Sequence, residues 1–94
     1  MVRLYAYVRC NKNHVVETLE EMFEEPPLTF HSNDMKITIL HGVIRNMGWA
    51  EVWIREREKF TEVEAELQKP QILLREMLER FGWDNVKAFT TREV

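Results

Sequence analysis

Between Gly48 and Arg55 the chain alternates strictly. Ala50, Val52 and Ile54 fall on one side of an extended backbone, with Trp49, Glu51, Trp53 and Arg55 on the other. Wound into a helix, that pattern would scatter its apolar groups around the whole circumference, so the stretch demands a strand with one buried face. The opposite face carries two indoles and a guanidinium. What that second face is for becomes the central question.

Other segments share the period of two. From Val2 to Cys10, residues Val2, Leu4, Ala6 and Val8 share one face, and Arg3, Tyr5, Tyr7 and Arg9 the other. Met35–Ile44 reads as a strand with Ile37 and Ile39 inward and Lys36, Thr38 and Leu40 outward. Arg45-Asn46-Met47-Gly48 makes a hairpin connection in which Gly48 takes positive φ. Leu28–His31 reads either as loop or as a short edge strand before a Ser32-Asn33-Asp34 turn. Val86, Ala88 and Thr90, alternating with Lys87, Phe89 and Thr91, make a last strand.

Two segments have helical spacing. Asn13 suits an N-cap, and Val15, Val16, Leu19, Met22 and Phe23 follow on one helical face, with five glutamates on the rest. Pro26-Pro27 ends that helix at Glu25. Thr61-Glu62-Val63-Glu64 matches a capping box and opens a second helical region. Its stripe of Val63, Leu67, Leu74, Met77, Leu78 and Phe81 runs to Gly82 and keeps phase across Pro70, which favours a kink there over a break near Gln68. The resulting order is β-α-β-β-α-β. It points to a single domain over residues 1–94 with a ferredoxin-like α+β two-layer sandwich, an antiparallel sheet with both helices on one face. In the usual strand order of that fold the first and third strands are central, and they carry Tyr5, Tyr7, Trp49 and Trp53.

Composition narrows the classes. With 45% apolar and 31% charged residues, disorder is excluded. Cys10 is the sole cysteine, so no intrachain disulfide forms, which fits a cytoplasmic, reducing location. Ile37–Ile44 is far too short to span a bilayer, and Arg3 and Arg9 interrupt the N-terminal apolar run, so neither a membrane span nor a signal peptide is expected. The net charge of −3 hides a layered distribution, glutamates on the helical segments and Arg3, Arg9, Lys36, Arg45, Arg55 and Lys87 on or beside strands.

The uncovered sheet face is therefore expected to present Arg3, Tyr5, Tyr7, Arg9, Trp49, Trp53, Arg55, Lys87 and Phe89, more apolar surface than water tolerates bare. Two uses fit. As a subunit interface, its Tyr, Trp and Arg content matches the residue types of interface hot spots, and the chain would be a homodimer. As a stacking platform, it would hold single-stranded nucleic acid, with aromatic rings under the bases and cations at the phosphates.

Gly48-Trp49-Ala50-Glu51-Val52-Trp53-Ile54 resembles the third-strand ribonucleoprotein motif of RNA-recognition-motif domains, and Leu4-Tyr5-Ala6-Tyr7-Val8 resembles their shorter first-strand motif. Leu19 and Phe23 are similar to a Leu-x-x-x-Phe pair in that family's first helix. The resemblance implies RNA binding on the open face. The sequence departs from the family at Glu51, where a second stacking aromatic belongs, and at Met47, where a basic residue precedes the glycine.

A third reading is catalytic. Arg9 and Cys10 precede Asn11-Lys12-Asn13-His14 at a helix start, where an anion could bind and a thiolate with His14 beside it could act as nucleophile. The more economical expectation is that Cys10 is a small buried hydrophobe and His14 is solvated. His31 and His41 are remote from Cys10 and His14 in sequence, and there is no paired cysteine, no His-Glu-x-x-His and no glycine-rich phosphate loop, so neither metal nor cofactor is implied. The reading is thus a binding protein whose site is the open sheet face.

Overall fold

The computed structural model of the chain describes the backbone of residues 2–92 and the side chains of residues 2–90. The elements in order are β1 (Val2–Val8), α1 (Lys12–Glu20), β2 (Leu28–His31), β3 (Ile37–Ile44), β4 (Gly48–Glu56), β5 (Thr61–Leu67), α2 (Pro70–Phe81), a short 3-10 turn over Trp83–Asn85, and β6 (Val86–Arg92). All six strands join one sheet in the order β2-β3-β4-β5-β1-β6, and every pair is antiparallel. The fold is α+β, but the four-strand ferredoxin-like order expected from β-α-β-β-α-β is not the one that forms.

The departure comes from Thr61–Leu67. The Thr-Glu-x-Glu signal suggested a helix start, yet the segment alternates as cleanly as β1. Thr61, Val63, Ala65 and Leu67 are buried, and Glu62, Glu64 and Glu66 point to the other face. Helix propensity in glutamate is worth a few tenths of a kcal/mol per residue. Burying Val63 and Leu67 against the core is worth about 1.5–3 kcal/mol each, so tertiary packing overrides it. α2 then begins at Pro70, which occupies its first turn, where the missing N–H costs nothing. No kinked helix runs through it. Gly82, at φ 94°, ends α2, its N–H bonding Leu78 O at 2.9 Å while Asn85 Nδ2 caps Phe81 O at 2.8 Å.

β3 also reverses the expectation. Thr38 and Leu40 are fully buried, while Ile37, Ile39 and Val43 lie on the open side. Pairing fixes this parity, because Thr38 lies opposite Ile54 and Leu40 opposite Val52, both core residues of β4. Thr38 is accommodated by a 3.0 Å hydrogen bond between its hydroxyl and His31 Nδ1. β2 is the edge strand allowed by the sequence, and the hairpin from β3 to β4 turns through Asn46 (φ 67°) and Gly48 (φ 83°).

The N-cap of α1 lies two residues before the expected Asn13. Asn11 is the N-cap, its Oδ1 accepting the His14 N–H at 2.8 Å. It also ends early, at Glu20 and not Glu25. Beyond it the backbone is recruited by the end of β3, with Phe23 bridging Ile44, Glu24 N–H bonding Val43 O at 2.9 Å, and Arg45 N–H bonding Met22 O at 3.0 Å. Leu4, Ala6, Val8, Leu40, Val52 and Ile54 of the sheet form one core with Val15 and Leu19 of α1 and Leu73 and Met77 of α2. Both helices therefore cover one face of the sheet and leave the other open.

Candidate functional site: the open sheet face

The open face has three parts, ordered by the strand register. On one side, Tyr5 of β1 stacks on Phe89 of β6, with centroids 5.3 Å apart and planes 18° from parallel. Tyr7 meets Phe60 edge-on at 5.0 Å and Phe89 at 6.2 Å. Lys87 is exposed beside Tyr7 on β6. Aromatic pairs at these separations hold one another's rotamers and present a fixed surface.

In the middle runs β5, whose outward residues are all glutamates. Arg3 on β1 reaches Glu64 at 3.1 Å and Glu66 at 2.6 Å. Arg55 on β4 reaches Glu64 at 2.9 Å and Glu62 at 3.7 Å, and Arg57 bonds Glu62 at 3.1 Å. The result is an ion-paired ladder across three strands. The Arg3 guanidinium also lies 5.8 Å from the Trp53 ring centroid.

On the far side lie β4, β3 and β2. Trp49 and Trp53 pair with Val43 and Ile39, and Phe30 and Leu28 of β2 pair with Ile39 and His41. His41 sits 5.1 Å from the Trp49 ring and 6.5 Å from Phe30. Its Nε2 is 2.8 Å from the Glu51 carboxylate, off the ring N–H axis, so the approach is an ion-pair distance and not a well-aligned hydrogen bond. Leu28 is 62% exposed, Phe30 53%, Trp49 51% and Val43 40%. This is the largest run of bare apolar side chains on the face.

The expected site residues thus share one face, with one exception and one rearrangement. Arg9 is the exception. It follows the end of β1 and lines a cleft at the edge of the sheet with Cys10. The rearrangement concerns the two aromatic strands, which are not neighbours. β5 separates β1 from β4 by two strand spacings, roughly 9–10 Å, and fills the gap with carboxylates. Leu28, Phe30, Ile37, Ile39 and Val43 join the face without having been expected there. The pairing of Leu28 and Phe30 with a strand read in the opposite parity would have revealed them.

At the strand–helix junction Cys10 and His14 make separate contacts. Cys10 is partly buried and packs against the core, and its carbonyl accepts a 2.7 Å hydrogen bond from the Thr61 hydroxyl. The His14 ring instead packs edge-on against Phe81 of α2, at 5.8 Å. Among the described residues no helix is long and apolar enough to cross a membrane. No family model matches the chain, and no curated protein and no solved structure matches it.

Proposed function

We propose that the chain is a docking module that pairs with a second copy of itself through the β2–β4 half of its open face. The observation that carries this is the contiguous patch of Leu28, Phe30, Val43 and Trp49, each at least 40% exposed, backed by Ile37, Ile39 and Trp53. Among the described residues its one outward carboxylate is Glu51, 2.8 Å from the His41 ring. With a single carboxylate, set beside an imidazole, the patch can lie against its own copy with little like-charge repulsion, as an isologous contact requires.

The molecule measures 29 × 29 × 27 Å, so the β2–β4 half of one face offers roughly 400 Å² to each partner, the size of a weak, concentration-dependent contact and about half of what a standard interface takes from each side. A nucleic-acid platform is the poorer fit, because Arg3 and Arg55 are already engaged by Glu62, Glu64 and Glu66. A phosphate approaching them would meet three fixed carboxylates and would have to displace short ion pairs.

Sedimentation velocity at increasing protein concentration tests the reading. The expected result is a dimer that Phe30→Glu and Trp49→Glu each convert to a folded monomer, since both side chains are at least half exposed and support no core. A monomer that retains a single-stranded oligonucleotide at low salt would overturn it in favour of the stacking platform. A monomer that retains none removes both uses of the face.

A further inference from the structure

A second surface lies at the end of the sheet, where the start of α1 meets the β2–β3 and β4–β5 turns. There a cleft of about 690 Å³ is lined by Arg9, Lys12, Lys36, Arg57 and Lys59, with Phe60 at one wall. Glu56 and Glu58 are the only carboxylates in the lining, which leaves five cations against two anions, an excess of three positive charges. The chain as a whole carries −3. Such a concentration of one sign against the molecule's own balance is costly unless something of opposite charge occupies it.

The turns that carry Lys36 and Arg57 are fixed by backbone hydrogen bonds. Lys36 follows a turn in which the Asp34 carboxylate accepts the Lys36 N–H at 3.1 Å and the Ser32 hydroxyl at 2.6 Å. The Lys36 carbonyl accepts the Glu56 N–H at 2.8 Å, which ties that turn to the end of β4. Arg57 N–H bonds Phe60 O at 3.0 Å and closes the β4–β5 turn.

Lys12 is the most telling member. It is only 7% exposed, and its ammonium donates to Met35 O at 2.9 Å. Among the described residues no ion pair joins Lys12, Arg9, Lys36 or Lys59 to a carboxylate, and Arg57 pairs only with Glu62. The residue is mostly buried where it lines the cleft, and its ammonium, with three donors, has one neutral acceptor and lacks the counter-charge that buried ions ordinarily have. The first amides of α1 add to the field. Asn11 takes the N–H groups of His14 and Val15, while those of Lys12 and Asn13 precede any internal acceptor.

We infer that this cleft binds a small polyanion carrying two or more phosphate groups, with Lys12 as its buried anchor and Arg9, Lys36 and Lys59 as its rim. A single carboxylate would satisfy Lys12 but leave the remaining excess charge unmatched, whereas linked phosphates can meet several cations at once. The volume suits a compact molecule bound in an open cleft between turns.

Calorimetry and amide NMR with inorganic pyrophosphate at low salt test this. Binding is expected, with the largest amide shifts at Asn11, Lys12, Asn13, Lys36 and Lys59. Because Lys12 is buried, Lys12→Met perturbs folding as well as binding, so the exposed pair Arg9→Gln and Lys36→Gln carries the test. Together they should weaken pyrophosphate binding by roughly tenfold or more, while Arg75→Gln on the exposed side of α2 leaves it unchanged. No heat and no shifts, shifts scattered over all surface lysines, or equal weakening by Arg75→Gln would each overturn the assignment. Because the cleft shares no residue with the β2–β4 patch, this outcome is independent of whether the chain dimerises.

Discussion

Replacing Glu64 by Gln probes the ladder that decides between the two uses of the open face. The Glu64 side chain is 14% exposed and stands between Arg3 at 3.1 Å and Arg55 at 2.9 Å. Glutamine keeps the shape and one acceptor oxygen but removes the charge from both contacts. Hydrogen bonds to charged groups contribute about 1.5–3 kcal/mol net. Part of that loss is offset, because Arg3 keeps Glu66 at 2.6 Å, Arg55 keeps Glu62 at 3.7 Å, and a neutral amide is cheaper to bury than a carboxylate.

The expected loss is therefore about 1–2 kcal/mol, read as a lower urea midpoint at fixed protein concentration with an unchanged slope. In thermal unfolding this corresponds to roughly 4–8 °C for each kcal/mol. Glu76→Gln is the comparator. Its partner Arg80 lies at 3.3 Å one helical turn away, with both side chains more than a third exposed, so its loss should be only about 0.3–0.5 kcal/mol. At about 1 M salt, where the screening length falls to about 3 Å, the Glu76 effect should vanish and most of the Glu64 effect should persist. If Glu64→Gln costs no more than Glu76→Gln, or if salt abolishes its cost, then the arginines are hydrated and open to phosphate, and the case for a protein partner fails.

Two further expectations follow from the register and from the β2–β3 turn. Leu40→Ala should cost about 2–5 kcal/mol and Ile39→Ala less than half as much, since Leu40 is fully buried and Ile39 lies on the open face; chemical denaturation giving the opposite ranking would put β3 in the wrong parity. The Ser32 hydroxyl, then the Lys36 N–H, hold the exposed Asp34 carboxyl below its ordinary value of 3.8. A carboxyl lowered on folding contributes stability that is present above the unfolded value and lost as pH falls through the folded one. A carboxyl-detected NMR titration should place the Asp34 midpoint below 3.8, and Ser32→Ala should move it back up; a midpoint indifferent to that substitution refutes the assigned cause.

Segments whose own pattern matched their environment were readable in advance. β1, β4, β6 and the hairpin between Ile44 and Gly48 all lie where alternation and a left-handed glycine placed them. Leu28–His31 was readable only as one of two options, since four residues carry too little period to choose. Thr61–Leu67 was misread because a capping box and an alternating strand can share the same letters, and only the neighbouring arginines distinguish them. That single element changes the site. It separates the phenols from the indoles and supplies the carboxylates that engage Arg3 and Arg55. The outward apolar residues of β3 were hidden for a related reason. A buried threonine with a histidine partner across the strand pair looks, in one dimension, like a solvent-facing residue.

β1 has both its partners far downstream. Its shortest pairing, Val8 with Thr61, spans 53 residues, and its other neighbour is the C-terminal strand. The β2-to-β5 meander can zip up through consecutive turns, but the N-terminal segment must wait for the remainder of the polypeptide before its backbone donors and acceptors are matched. β1 is made before either partner, and bringing it to them carries a closure entropy that makes for slow assembly. Shortening the chain before Val86 would leave the β1 edge permanently unmatched, an adhesive border on an otherwise completed sheet.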